Sequence, residues 1–279
     1  MTALPSPRRF TSDAATGAAY DHGAHVVEWT PAGHAPVLWM SSASRFDAAS
    51  AIRGGVPICL PWFGAGRSQN LAPAHGSARL RTWFVSDCTT TSEGRRVEYH
   101  LEIPTSDAYP HELNATYLVE FGSELTLHLT VTNAGSSACS FEEALHTYLA
   151  VGDIRSVSVA GLDGAEYLDK APGGSPAPVT QEGDITFTGE TDRVYTSTAD
   201  VIVTDPELGR RIIVSKTNAA NTVVWNPWVA KAAAMPDFGN DEWPEMLCIE
   251  GANVLGDAIH LAPGESHTMS YRLRVELLD

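Results

Sequence analysis

Apolar and polar residues alternate with a period of two along several stretches of the 279-residue chain. In 96–103, Val97, Tyr99, Leu101 and Ile103 fall on one face and Glu98, His100 and Glu102 on the other. In 124–132, Leu125, Leu127, Leu129 and Val131 oppose Thr126, His128 and Thr130, and 267–277 alternates through Met269, Tyr271, Leu273, Val275 and Leu277. That period belongs to half-buried β-strands. Asn133-Ala134-Gly135-Ser136 and Pro263-Gly264-Glu265-Ser266 supply turns between them. Shorter strand candidates are 25–29, 37–40, 82–87, 185–187, 193–196, 201–204, 211–216 and 222–226, with a mostly apolar run at 246–250 that ends in Glu250. The stretch 140–151 fits helix or strand by pattern, and its β-rich neighbourhood favours strand. Helix candidates are short, such as 229–234. Residues 171–179, APGGSPAPV, form a flexible connection inside a domain, and the small polar residues 1–20 are expected to be partly flexible. Many short strands without βα alternation predict an all-β fold, a large antiparallel sandwich in a single domain spanning 1–279.

One stretch breaks this rhythm. From Arg53 to Arg81, RGGVPICLPWFGAGRSQNLAPAHGSARLR, glycine or proline at 54, 55, 57, 61, 64, 66, 73 and 76 interrupts any helix or central strand. A loop of this length is uncommon without a function. It presents Arg53, His75 and Arg79, and with Arg67 and Arg81 it gathers four arginines.

Composition narrows the partners. The hydrophobic share of 43% is enough for a core. A formal charge of −16, from 18 basic and 34 acidic residues, argues against nucleic acid. It also means that an anionic substrate requires concentrated local positive charge. Cys59, Cys88, Cys139 and Cys248 lie far apart, without the spacing of a zinc ribbon or disulfide framework. They read as reduced thiols of a cytoplasmic protein. No signal peptide or apolar membrane span is evident, so no membrane partner is expected.

Few residues carry candidate chemistry. Of ten histidines, His100 and His128 occupy polar strand faces, and His22, His25, His34, His111, His260 and His267 have no motif around them. His75, followed by Gly76, sits where backbone can approach closely. His146 is a polar ring inside an apolar run, consistent with a hydrogen-bonded core histidine or an active one. Glu250 ends a buried strand, where a carboxylate must be paired, hydrogen-bonded or used. Asp192 either pairs with Arg193, caps a turn or acts. Trp225-Asn226-Pro227-Trp228 forms an aromatic corner that suits a core or a sugar face. His75, His146 and Glu250 could also be read as a His₂Glu metal site, but they lack local ligand spacing.

Taken in order, RGGVPICLPWFG, HGSAR, LHTYLAVGDI, ETDRVY, VVWNPW with Lys231 and Asp237, and CIEGANV resemble the D-hexose-6-phosphate mutarotases of the aldose 1-epimerase superfamily. The resemblance implies a β-supersandwich and an acid–base interconversion of sugar anomers that uses no cofactor and no metal. It implies Glu250 as general base, His146 as general acid, His75 as a hydrogen-bonding group near the ring oxygen and Asp192 as an orienter of hydroxyls. It implies Arg53 and Arg79 at the phosphate of a small-molecule sugar phosphate. Ser77 departs from the aromatic residue usual after His-Gly, which bears on pocket shape. A mutarotase of unphosphorylated aldoses and a sugar-binding sandwich without catalysis are the alternatives.

Overall fold

The protein is described by a computed structural model covering residues 3–91 and 94–278. Two large sheets dominate, and every strand pairing in them is antiparallel. The nine-stranded sheet holds the alternating segments, now bounded as Gly94–Ile103, Leu113–Phe121, Leu125–Asn133 and Ser266–Leu277. Val97, Tyr99, Leu127, Leu129, Met269 and Tyr271 on their inner faces are fully buried. The eight-stranded sheet runs through Glu166–Asp169, Thr191–Thr196, Asn221–Asn226, Met246–Asn253, Glu143–Leu145 and Ile58–Cys59, with Tyr148–Ala150 also pairing to Met246–Asn253. The predicted all-β antiparallel sandwich is the observed architecture.

Between the sheets lies the main core, where Leu247, Ile249, Val224 and Tyr195 meet the apolar faces of the nine-stranded sheet. The Tyr271 hydroxyl crosses this core and donates to the Ile249 carbonyl at 2.7 Å. The opposite face of the eight-stranded sheet is covered too. Trp39, Tyr148, Trp225, Phe238 and Cys248 form one small cluster there; Cys59, Phe63, Ala144, Val194, Val223 and Ala252 form another. Met246–Asn253 is therefore buried at all eight positions. A strand covered on both sides has no reason to alternate, which is why 246–250 reads as a run.

Several boundaries differ from expectation. Residues 37–40 are not a strand; Leu38 and Met40 make isolated bridges to Leu149 and Gly54. The stretch 140–151 is β, but in three pieces, Cys139–Phe141, Glu143–Leu145 and Tyr148–Ala150. The last break is chemical. The Thr147 N–H and hydroxyl both donate to the Leu145 carbonyl, at 2.8 and 3.2 Å, and the chain turns there. Residues 8–11 and 15–20, in the polar N-terminal region, form strands, with 15–20 paired to 8–11 on one side and to His25–Pro31 on the other. The single helix among the described residues that spans two turns is Trp228–Ala234.

The 53–81 loop is anchored by backbone. Gly76 has φ +77° and lies against the Leu60 carbonyl, 2.1 Å from where a Cβ would stand. Gly76→Ala is therefore expected to cost about 2 kcal/mol or more, from left-handed backbone strain and overlap together. Thermal unfolding should fall by roughly 5 °C or more, at about 2–4 °C per kcal/mol. An unchanged Tm would show that the loop relaxes freely.

Candidate active site

The loop, the broken strand and the covered sheet converge on one cleft of about 340 Å³. Arg53, His75, Arg79, His146, Asp192 and Glu250, far apart in sequence, all line it. Phe63, Lys170, Trp225 and Lys231 complete its walls.

Register places three of these side chains. Asp192 pairs with Trp225, and Trp225 with Cys248, across adjacent strands. Glu250 pairs with Val223 one row along. Alternation then puts Asp192, Trp225 and Glu250 on the same outer face. The turn at Thr147 brings His146 over that face. Its ring stacks on Tyr148 with centroids 4.8 Å apart and planes at 14°, and meets the His75 ring edge-on at 5.5 Å.

At the floor, His146 Nε2 lies 3.4 Å from Glu250 Oε1. Glu250 is 1% exposed, and neither of its oxygens has a hydrogen-bond partner among the described residues. His146 Nδ1 is likewise buried and unpartnered. Unsatisfied buried groups of this kind are rare in folded proteins, and a site that receives a polar ligand is one setting in which they occur. Burial pushes the Glu250 carboxyl well above its ordinary range, aided by the negative charge of Asp192; Lys170 and Arg79 pull it partly back. Burial, with the cations Arg53 and Arg79, pushes the His146 imidazole down to about 3. Both shifts favour the carboxyl and the neutral imidazole over the charged pair. His75 is driven well below the usual imidazole value, first by burial and then by Arg79.

Cations ring the mouth, each differently committed. Arg53 donates to the Tyr148 hydroxyl at 2.9 Å and to both Asp237 oxygens at 3.2 and 3.1 Å, leaving its Nε unpartnered. Arg79 donates to the Ala74 carbonyl at 2.7 Å, and its Nε is also unpartnered. Lys170 lies over the Phe63 ring at 5.1 Å. Lys231 bridges Glu190 at 2.9 Å and Asp192 at 3.6 Å. Arg67 and Arg81, counted in the sequence cluster, do not line the cleft, and neither does Ser77. Asp192 meets Lys231 rather than its chain neighbour Arg193, whose guanidinium lies over the Tyr167 ring. Lys170 has no motif to reveal it, and Tyr148 reads as one more apolar-run residue; only their places in the fold bring them in.

Among the described residues, no cluster of three or more His, Cys, Asp or Glu side chains is arranged to hold a metal ion. All four cysteines are free, and no helix among these residues is long and apolar enough to cross a membrane.

A buried carboxyl–imidazole pair on a β-sandwich sheet face, under a cationic rim, is an arrangement chemically suited to moving protons. Comparison with known proteins gives the family. The sequence profile of the Aldose 1-epimerase family matches residues 10–274. A protein of Escherichia coli K12, provisionally named glucose-6-phosphate 1-epimerase, is 37% identical over 233 residues, covering 82% of this chain and 77% of the relative. One from Cenchrus ciliaris, with the same provisional name, is 35% identical over 259 residues, covering 88% and 77%. The crystal structure of a protein from Salmonella typhimurium, provisionally described as a mutarotase, superposes with a TM-score of 0.85 at 27% identity, covering 98% of this chain and 97% of that one. A galactose mutarotase-like protein from Lactobacillus casei shares the fold, with a TM-score of 0.77 at 13% identity over 97% of this chain and 100% of its own. The chain belongs to the aldose 1-epimerase family and is an isomerase of that class.

The raised Glu250 carboxyl makes a stability prediction. The folded state keeps a proton that the unfolded chain loses near pH 4.3. The stabilisation from that proton is complete below about pH 4.3 and is lost as pH rises through the folded value. Glu250→Gln should therefore unfold at a higher temperature than the parent, with a difference that is small near pH 4 and grows as pH rises from there toward the folded value. Each kcal/mol appears as about 2–4 °C. A difference that is flat or reversed across that range would contradict the burial argument.

Proposed function

We propose that the protein interconverts the α and β anomers of a hexose 6-phosphate, foremost glucose 6-phosphate, with Glu250 as general base and His146 as general acid. The observation that carries this reading is the buried His146–Glu250 pair, 3.4 Å apart beneath a rim of Arg53, Arg79, Lys170 and Lys231. The provisional names of the relatives point the same way.

Ring opening needs two proton movements. Glu250, as carboxylate, takes the proton of the C1 hydroxyl; His146, as imidazolium, gives one to the ring oxygen. The C1–O5 bond breaks and its electron pair stays on O5, while C1 becomes an aldehyde. The pair is then carboxyl and neutral imidazole. Rotation about C1–C2 offers the other aldehyde face, and closure returns both protons. The pair's net charge is zero in both states, so the cycle moves a proton across the cleft without adding charge to it. The form with both groups neutral, which burial favours, is the one that accompanies the open chain. The competent closed-ring form requires the proton to pass from carboxyl to imidazole, and the two groups are placed for that exchange. Asp192, held by Lys231, faces the sugar hydroxyls. Trp225 and Phe63 offer apolar faces to pyranose C–H groups.

Arginine suits the phosphate because its planar fork presents two donors to two oxygens. Arg79 has the freer guanidinium. Arg53 is pinned by Asp237 and props the Tyr148 ring under His146, so it also supports the acid.

Two measurements test this reading. By NMR exchange spectroscopy, the parent should accelerate glucose 6-phosphate anomer exchange, and Glu250→Gln and His146→Asn should each lower kcat by about 100-fold or more. A folded variant within a few-fold of the parent would remove that residue from its role. Arg79→Ala should raise KM for glucose 6-phosphate by about ten- to a hundred-fold, from the roughly 1.5–3 kcal/mol of a charged hydrogen bond, and leave free glucose nearly unaffected. Arg53→Ala should raise KM and lower kcat together. Equal turnover of free and phosphorylated glucose, unaltered by either change, would favour a plain aldose mutarotase.

A further inference from the structure

His75 is gripped at its ring nitrogen Nδ1. The Gly64 N–H donates to His75 Nδ1 at 3.3 Å, and Cys59 Sγ lies 3.3 Å from the same nitrogen. In return the His75 N–H donates to the Gly64 carbonyl at 2.6 Å. Both residues adopt left-handed backbone, with φ +56° at Gly64 and +64° at His75, a conformation uncommon outside glycine. Phe63 holds the ring edge-on from one side at 4.9 Å and His146 from the other at 5.5 Å.

The chemistry of these contacts decides the tautomer. A backbone N–H only donates, so Nδ1 is the acceptor and carries no proton. Cys59 is fully buried, and burial keeps its sulfur a thiol, able to donate to the same nitrogen. With the imidazole neutral, its single proton must sit on Nε2. We propose that Cys59 and Gly64 are positioning residues that lock His75 as the Nε2–H tautomer, making it a fixed hydrogen-bond donor to the sugar and not a proton-transferring group. That the donor meets a sugar rests on the mutarotase reading; the lock itself does not.

The first test therefore needs no activity. In ¹⁵N multiple-bond spectra of the parent at pH 7, the histidine signal lost in His75→Gln should show a pyridine-type Nδ1 and a pyrrole-type Nε2. An Nδ1–H ring or an imidazolium there overturns the lock, however active the enzyme. The second test isolates Cys59. Cys59→Ala should lower kcat by about three- to ten-fold, the worth of one neutral hydrogen bond, and raise the share of Nδ1–H ring. Cys59→Ser, which keeps a donor, should restore most of both. Equal losses in the two variants, or none in either, would remove Cys59 from the lock. A third comparison holds if Cys59→Ala does not fold. His75→Gln supplies an amide N–H at the Nε2 position, so it should keep at least ten-fold more activity than His75→Ala, and neither variant should lose a limb of the pH–rate profile. If the two are equally inactive, or a limb disappears with His75, the histidine transfers protons and the proposal falls.

Discussion

A carboxyl and an imidazole buried side by side are expensive to charge, because removing an isolated ion from water costs several kcal/mol even after relaxation. The His146–Glu250 pair accepts this constraint, and the surrounding architecture follows from it. Glu250 must sit on a strand covered on both faces, so the eight-stranded sheet carries its main core on one side and two small apolar clusters on the other. His146 must stand above that strand, so the chain breaks at Thr147 and lays the ring on Tyr148. Tyr148 in turn is held by Arg53, and Arg53 by Asp237. An acid–base pair of zero net charge is thereby built into the layers of a sandwich.

The strong negative charge of the chain and the cationic rim of the cleft divide the work between surface and site. At −16, the protein as a whole gives no attraction to an anion. Arg79 and Lys170 concentrate positive charge where the pair lies, and both act on Glu250 by holding its carboxyl down against the effect of burial. Burial first, and then the same cations, push His75 toward neutrality. One local field thus serves both groups.

How much of this was legible in the sequence depended on the range of each interaction. Period-two alternation at 96–103 and 124–132 read directly as strands, because one face meets a core and the other water. The run ending in Glu250 read as a strand without alternation because both of its faces are covered. The stretch 140–151 could be named β but not its break, since the Thr147–Leu145 turn leaves no mark on hydrophobic periodicity. His75, His146, Asp192, Glu250, Arg53 and Arg79 stood out through motif order and do share one cleft. Their spacing does not show that Arg53 is bound to Asp237, 184 positions away, or that Cys59 touches His75. The arginine count in the 53–81 loop overstated the charge at the site, because Arg67 and Arg81 point elsewhere. Lys170 was unmarked because it follows a short strand, Glu166–Asp169, whose register only the sheet defines.

The protonation of Glu250 in the empty enzyme is the most direct measure of this account. Infrared difference spectroscopy of the parent against Glu250→Gln at pH 7 should reveal the C=O stretch of a protonated carboxyl that the variant lacks. A Glu250 that is fully ionised at pH 7, with only carboxylate bands lost in the variant, would contradict the claim that burial stores the pair in its neutral form.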